Sequence, residues 1–421
     1  MVITKVLKSG VRVAINSMKG FEGVSFKMFV FTGSGSETNP KDYGISHLIE
    51  HMFFKGTKTR SSQDIVKEFD DLGIQTNAYT GKSETCFFTY GTGDSLEKSV
   101  EIMSDMLFNS VFDEVELERE KEVVIEEIKM YNDRPDAVCE LAMDNIFFEG
   151  TPYAHDIAGS EKSVKNISRE QILNYFGEKY IPINIVLSFA GNVESEKALE
   201  LVEKYFEPYF EQKGEFVFSP VKTDFKITKK QLIVGKKTNQ AQVSIAYQTE
   251  NKYDKTNLYK NVLISQILGG SMGSRLFQEV REKLGLVYTI SCYNDTGIIS
   301  GMLSINFGTS LKKLPLALKT IKKVLNEVCK DGFKEEELMQ AKNIIISAIK
   351  LRSDSPSSEA SNIAMQYQYS DKILSKNEHI NKYASVTLED INNRAKEIFE
   401  KDFCITMCGN KSNINLLKYL D

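Results

Sequence analysis

An internal repeat most constrains how this chain of 421 residues can fold. Residues 112–129 combine a phenylalanine, an acidic cluster and an apolar run that ends on a lysine, and residues 333–350 repeat this pattern. Residues 189–192 read FAGN, and residues 407–410 echo them as MCGN. Runs rich in Val, Ile and Phe between the predicted helices indicate strands. The repeat therefore predicts an α+β fold with two homologous domains, each an antiparallel-rich β-sheet packed against helices and about 200 residues long.

The boundary between the two copies falls in a stretch without helical periodicity. Pro208, Gly214 and Pro220 interrupt polar and aromatic residues there, as is typical of loops and linkers. We therefore predict three segments, which are a first domain at 1–206, a linker at 207–226 and a second domain at 227–421.

The stretch H-L-I-E-H at residues 47–51 has the spacing of a metal site. On a helix, His47 and His51 lie one turn apart on one face, with Glu50 close by on the same side. Two imidazoles can fill two corners of a zinc tetrahedron, and a neighbouring carboxylate can act as a general base toward water. The alternative is that the spacing arose by chance, but the chain has only four histidines. The pattern therefore favours zinc.

A third ligand must come from another part of the chain, because catalytic zinc usually has three protein ligands. Residues 117–131 have the apolar spacing of a long helix, and Glu120 and Glu127 lie seven residues apart on one side of it. One of them can bind the metal while the other supports the ligands. A solvated charge run is the alternative interpretation. In the second copy, Ala341 and Ala348 take the places of the two glutamates, so we expect no zinc site there.

The segments H-L-I-E-H and E-R-E-K-E-V-V-I-E-E-I-K-M resemble those of the M16 metallopeptidases, whose H-x-x-E-H motif is an inverted zinc motif. The resemblance covers essentially the whole chain and is to the two-domain subfamily of bacterial processing proteases and the mitochondrial processing peptidase β subunit. Glu127 follows His51 by 76 residues, which is the separation typical of the family. The resemblance implies one zinc ion per chain, held by His47, His51 and Glu127. It implies that Glu50 is the general base and that Glu120 is a supporting carboxylate.

The resemblance also implies a substrate-binding pair in the second domain. Arg281 and Tyr288 match the arginine and tyrosine that hold the substrate backbone and steady the oxyanion in M16 enzymes. A cation and a phenol suit the negative charge that develops on the scissile carbonyl. A glycine-rich loop, a charged helix and a strand with a purely structural role are the alternative for this segment. The resemblance further implies that substrate pairs as an added β-strand with the edge that carries Asn77, Ala78 and Tyr79.

Together these features predict a zinc-dependent endopeptidase that cleaves peptides or extended, unfolded protein segments. One alternative is a non-catalytic or partner-dependent subunit of a heteromeric M16 complex. Another is hydrolysis of a non-peptide substrate, since a zinc site can activate water toward other electrophiles. His155 and His379 have no partner at ligand spacing, and we interpret both as ordinary structural or surface residues.

Composition bears on partners and location. The formal net charge is −5, with acidic and basic residues intermixed, so we expect neither nucleic-acid binding nor a polybasic membrane contact. No apolar run approaches the roughly 18 residues that span a bilayer. The six cysteines are scattered without C-x-x-C pairs, which favours reduced thiols and a cytoplasmic location.

Assembly is predicted from the number of domains. The larger M16 enzymes close four such domains around the substrate, whereas this chain has two. We therefore expect a homodimer in which Arg281 and Tyr288 of one subunit face the zinc of the other. A heterodimer with another M16 chain is the alternative.

Overall fold

The computed structural model describes residues 2–210, 223–370, 372–411 and 413–420, so most of the predicted linker 207–226 lies outside the described residues. The α-helices, in chain order, are α1 (Ile45–Phe53), α2 (Ser62–Asp71), α3 (Leu96–Asn109), α4 (Glu114–Asp133), α5 (Pro135–Phe147), α6 (Glu161–Asn166), α7 (Arg169–Lys179), α8 (Ser195–Tyr205), α9 (Leu258–Gly269), α10 (Leu314–Asp331), α11 (Glu335–Arg352), α12 (Pro356–Tyr369), α13 (Lys376–Ser385) and α14 (Leu388–Phe399). Among the described residues, no helix combines the length and the apolar character needed to cross a lipid bilayer.

The strands are β1 (Ile3–Val6), β2 (Arg12–Ser17), β3 (Gly23–Val30), β4 (Gln75–Thr80), β5 (Thr85–Thr92), β6 (Ile185–Gly191), β7 (Lys230–Gly235), β8 (Ala241–Thr249), β9 (Ile290–Thr296), β10 (Gly301–Thr309) and β11 (Phe403–Gly409). In the described ranges they form one six-stranded and one five-stranded sheet.

The described residues group into two compact units, and each is discontinuous in sequence. The first contains the described parts of Met1–Ile128, His155–Ser219 and Lys350–Leu374, and the second contains those of Lys129–Ala154, Pro220–Ile349 and Ser375–Asp421. Helix α12 packs on β2, β3 and β6 of the first unit, and α5 packs on β7, β8 and β11 of the second. The predicted domains are continuous segments. In the structure, α12 from the C-terminal half of the chain belongs to the first unit, and α5 from the N-terminal half belongs to the second.

The first unit is built on the six-stranded sheet, in the order β1-β2-β6-β3-β5-β4. Strands β2 and β6 are parallel, and the other neighbouring strands are antiparallel. Strand β3 is buried along nearly its whole length because α3 and α12 both pack against it. Strand β4 lies at the edge and alternates exposed with half-buried side chains, the pattern of a strand with one face toward the core.

Within the part of the chain that the structure describes, the second unit repeats this topology with one strand fewer. Its sheet has the order β7-β11-β8-β10-β9, with β7 and β11 parallel and the rest antiparallel. This is the order of the first sheet without β1. Each unit has its own large cluster of buried apolar side chains. The predicted α+β class, with two homologous and antiparallel-rich sheets, is confirmed.

Candidate metal centre

Helix α1 carries polar side chains on one side of an otherwise apolar helix. Leu48 and the other apolar residues of α1 are buried in the core of the first unit. The helical period therefore leaves His47, Glu50 and His51 together on the remaining side. Gly44 immediately precedes the helix with φ of 94°, a left-handed conformation that favours glycine.

Three side chains from two helices converge as a candidate zinc site. His47 and His51 of α1 and Glu127 of α4 each offer a ligand atom, and these atoms lie within 4.8 Å of one another. Oε2 of Glu127 is 3.2 Å from Nε2 of His47 and 3.6 Å from Nε2 of His51. Two imidazole nitrogens and one carboxylate oxygen are a donor set used by catalytic zinc sites. The group therefore fits zinc, and within the described residues no second group of three such side chains meets this spacing.

Glu50 lies beside this group. Its Oε2 is 3.4 Å from Nδ1 of His47 and accepts a hydrogen bond of 2.5 Å from Oγ1 of Thr80. A carboxylate that is oriented by a hydroxyl and is not needed as a ligand can accept a proton from water. Thr80, the last residue of β4, is a site residue that the sequence reasoning missed. Its residue type and spacing mark it only as part of a strand, so no sequence pattern pointed to this contact.

Glu120 contacts the imidazole of His51 on the side opposite the ligand atom. Nδ1 of His51 donates a hydrogen bond of 3.0 Å to Oε2 of Glu120, and Nζ of Lys55 lies 2.6 Å from Oε1. Donation through Nδ1 leaves the lone pair of Nε2 available to a metal. Lys55 was also missed from sequence, because it lies two residues beyond the end of α1, where helical periodicity no longer predicts the direction of a side chain.

The neighbouring carboxylates stabilise positive charge on the imidazoles of His47 and His51, and this raises the pKa of both histidines. Burial lowers the pKa of His47, but hydrogen bonds to Glu127 and Glu50 outweigh burial and raise it to about 9. Burial also lowers the pKa of His51, and hydrogen bonds to Glu120 and Glu127 again produce a net rise. Hydrogen bonds from the two imidazoles hold the pKa of Glu127 far below its usual range. Such a place suits a bound cation.

The residues predicted to pair with substrate lie in β4, at the edge of the first sheet. Asn77, Ala78 and Tyr79 pair with β5 on one side, and no described strand pairs with their other side. Ala78 packs against the core, whereas Asn77 and Tyr79 are exposed. Because α1 packs against β4, this edge lies beside the candidate metal centre.

Arg281 and Tyr288 lie in the second unit, whereas the candidate metal centre lies in the first. Arg281 belongs to a π-helical segment, Phe277–Glu282, and Tyr288 lies just before β9. The guanidinium carbon of Arg281 is 4.4 Å from the ring centre of Phe277 and 5.4 Å from that of Tyr288. Tyr288 is 73% exposed. The two side chains therefore form an accessible pair of a cation and a phenol.

Two family models match consecutive parts of the chain. The model described as insulinase, peptidase family M16, matches residues 12–161, and the model described as peptidase M16 inactive domain matches residues 166–345. The first match contains the candidate metal centre, and the second contains Arg281 and Tyr288.

Relatives align with nearly the whole chain. A Bacillus subtilis protein named uncharacterized zinc protease YmxG is 33% identical over 411 residues, which cover 97% of this chain and 98% of that protein. A Rickettsia bellii protein named uncharacterized zinc protease is 30% identical over 403 residues and 96% of both proteins. The crystal structure of a protease from Helicobacter pylori matches with a TM-score of 0.90 and 21% identity, covering 97% of this chain and 99% of that one. That structural likeness supports the fold alone.

Proposed function

Because the chain belongs to the M16 peptidase family, we propose that it is a zinc-dependent endopeptidase that cleaves peptides or extended, unfolded protein segments. The family assignment confirms the resemblance inferred from sequence. The observation that carries the proposal is the convergence of His47, His51 and Glu127, with the carboxylate of Glu50 beside them. In this proposal the first three hold one zinc ion per chain.

The proposed chemistry divides between the metal and the protein. Zinc, when bound, polarises a carbonyl and makes a water molecule more acidic. Glu50 accepts a proton from the attacking water and returns one to the leaving amine, because its carboxylate lies beside the ligands without being one of them. Thr80 holds that carboxylate through its hydroxyl hydrogen. Glu120 holds the imidazole of His51 in orientation through Nδ1.

The proposed substrate is an extended chain that adds to the edge of β4. The side of β4 that pairs with no described strand, in the stretch that carries Asn77, Ala78 and Tyr79, would offer main-chain hydrogen bonds to one further strand. Main-chain pairing selects an extended conformation more than a particular sequence. Peptides and unfolded segments can adopt this extended conformation.

Arg281 and Tyr288 are proposed to bind the substrate backbone and the oxyanion. The exposure of Tyr288 and the contact of Arg281 with its ring support this role, since a cation and a phenol stabilise developing negative charge. We propose that one subunit of a homodimer supplies this pair to the zinc of the other, because each chain has one zinc-binding unit and one Arg and Tyr unit. A heterodimer with another M16 chain would use the same pair.

We also propose a cytoplasmic location and no binding to nucleic acid or membrane. The net charge of −5 and the absence of disulfides among the six cysteines, all of which are free, support this.

The test is metal-dependent cleavage of a quenched peptide library by purified protein. The protein as isolated should contain about one zinc per chain and should cleave the library. Removal of the metal with a chelator should abolish cleavage, and zinc should restore it. Zinc without cleavage of any peptide would reject the proposal, and cleavage only after addition of a second M16 chain would instead identify a partner-dependent subunit.

A further inference from the structure

A carboxylate outside the zinc-binding group contacts the start of the helix that carries the histidines. Oε2 of Glu37 accepts a hydrogen bond of 2.8 Å from the N–H of Gly44, and Oε1 accepts one of 2.9 Å from the N–H of Ser46. The residue that precedes α1 is Gly44, which has no side chain to cap the helix. Glu37, seven residues upstream, therefore supplies the acceptors that the first N–H groups of α1 require. Its negative charge also suits the positive end of the helix dipole.

The carboxylate of Glu37 is in turn held by His155. Nε2 of His155 donates a hydrogen bond of 2.8 Å to Oε2 of Glu37. The imidazole stacks on the ring of Tyr43 with 3.6 Å between ring centres and an interplanar angle of 4°. Its Nδ1 is buried and makes no hydrogen bond to any described residue, which favours the tautomer with hydrogen on Nε2. His155 is therefore held by both stacking and hydrogen bonding at the start of α1.

Because the Glu37 side chain is buried, its carboxylate depends on these hydrogen bonds. Glu37 is only 1% exposed, and an ionised carboxylate removed from water is costly unless hydrogen bonds satisfy its oxygens. Glu37 has two main-chain donors and one imidazole donor in the described structure. A shift of α1 by about 1 Å would lengthen both main-chain hydrogen bonds beyond the usual range. The helix is therefore restrained along its axis.

The chain that carries His155 also lies directly against the start of the helix. A Cβ atom added to Gly44 would lie 2.5 Å from the carbonyl oxygen of Ala158, and one added to Gly159 would lie 2.3 Å from that of Tyr43. Main chain thus contacts main chain here without intervening side chains. This contact and the hydrogen bonds of Glu37 restrain the same turn of α1.

This restraint bears directly on the metal centre. Ser46, which donates to Glu37, is followed at once by His47, and both histidines are on α1 while Glu127 is on α4. Movement of α1 along its axis would therefore displace two ligands together relative to the third. Metal sites require their ligands to be held within roughly 0.5 Å of the productive geometry.

We propose that Glu37 and His155 are a positioning pair, which fixes α1 so that His47 and His51 meet Glu127 in the arrangement that zinc requires. The inference rests on the proposed zinc site. It gives His155 a function, whereas the sequence suggested an ordinary structural or surface residue. Neither residue contacts the metal ligands directly in this role, so the pair acts through the position of the helix.

The test compares zinc affinity and ligand geometry in His155→Phe and His155→Gln. Phenylalanine retains a ring that can stack on Tyr43 but has no N–H donor, whereas glutamine retains a donor. We expect His155→Phe to bind zinc roughly 10- to 100-fold more weakly, the usual scale for losing a group that orients ligands. We expect His155→Gln to recover most of that loss. Competition with a chromophoric chelator gives the affinity, and the visible absorption of the cobalt-substituted protein should change in His155→Phe because the ligand geometry changes.

The same substitution elsewhere provides the control. His379→Phe alters a histidine in the second unit, and its zinc affinity and cobalt spectrum should equal those of the wild type. Wild-type affinity and an unchanged cobalt spectrum in folded His155→Phe would overturn the proposal, even if its melting temperature fell. If His155→Phe does not fold, Glu37→Asp replaces it as the test, since this variant keeps the charge but shortens the side chain by one methylene. Wild-type zinc affinity and a wild-type cobalt spectrum in Glu37→Asp would overturn the proposal. A wild-type protein that binds no zinc would reject the proposed zinc site itself, which is a separate outcome.

Discussion

Nδ1 of His51 lies 3.0 Å from Oε2 of Glu120, and the other oxygen of that carboxylate lies 2.6 Å from Nζ of Lys55. Burial raises the pKa of Glu120, but hydrogen bonds from His51 and Lys55 outweigh burial and produce a net lowering. Glu120 is therefore ionised at neutral pH and can hold the imidazole so that Nε2 faces Glu127, another proposed zinc ligand. Carboxylates in this position typically strengthen metal binding through the histidine they contact.

We predict that Glu120→Gln weakens zinc affinity or slows turnover by roughly 10- to 100-fold. The amide has no negative charge to stabilise the donating imidazole, and half of its polar atoms are donors. Glu122→Gln, an exposed position on the same helix, is the control and should match the wild type in both quantities. Equal zinc affinity and equal rate in Glu120→Gln and Glu122→Gln would show that Glu120 does not support the metal ligands.

Glu127→Gln should lose most of the bound zinc, because the amide is a poor substitute for the anionic ligand that lies 3.2 Å from Nε2 of His47. The measurement is zinc per chain after dialysis, with Glu122→Gln again as the control. Circular dichroism would establish that both variants are folded. One zinc per chain in folded Glu127→Gln would show that another residue is the third ligand.

Asp105 should contribute stability that depends on pH. Its Oδ2 accepts hydrogen bonds of 2.7 Å from Thr57 and 2.8 Å from Arg60. Burial raises its pKa, but these hydrogen bonds outweigh burial and hold the pKa below its usual value. Stabilisation from a lowered pKa is present above the unfolded-state value and is lost as pH falls through the folded-state value. Asp105→Asn should therefore lower the free energy of unfolding by about 1–3 kcal/mol at pH 7.

The difference between the wild type and Asp105→Asn should then shrink as pH falls below the unfolded-state pKa of about 4, and it should be lost as pH falls through the lower folded-state pKa of Asp105. Urea unfolding of both proteins at a series of pH values measures it. Asp70→Asn, at an exposed position in α2, should stay close to the wild type throughout. A difference for Asp105→Asn that is constant or larger in acid would contradict the assigned sign.

A shared site between subunits predicts complementation. Glu50→Gln and Arg281→Ala should each be inactive alone, for lack of the base and of the oxyanion-binding cation. In a heterodimer of the two variants, Arg281 of the Glu50→Gln chain would face the intact zinc-binding unit of the Arg281→Ala chain, which gives one complete site. If subunits exchange at random, half of the dimers are heterodimers with one of two sites complete, so an equal mixture should regain roughly a quarter of wild-type activity. Lys283→Ala, two residues from Arg281, should be active alone. A mixture with demonstrated subunit exchange and no activity would reject the shared site.

The candidate zinc ligands could be proposed from sequence because their arrangement is largely local. His47, Glu50 and His51 are adjacent on one helix, and helical periodicity alone puts them on one side. Glu127 is distant in sequence, but its helix was evident from apolar spacing and its role from family resemblance. The repeat of apolar and turn patterns likewise indicated two similar α+β halves, because these patterns set local structure before any long-range packing.

The remaining contacts depend on packing that local patterns do not encode. Thr80 reaches Glu50 only because the edge strand β4 packs against α1. Glu37 caps α1 from seven residues upstream, outside the usual capping spacing, and meets His155 across 118 residues of sequence. The exchange of α5 and α12 between the units was also not apparent, since an amphipathic helix does not specify which sheet it covers.

Peptide cleavage by the wild type and by Glu50→Gln at equal zinc content tests whether Glu50 is the general base. Glu50→Gln should hold about one zinc per chain yet cleave at least about 100-fold more slowly, because an amide cannot accept the proton of water. Glu122→Gln should cleave at the wild-type rate. Cleavage by zinc-loaded Glu50→Gln at the wild-type rate would show that this carboxylate, beside His47, His51 and Glu127, is not the general base of a zinc peptidase.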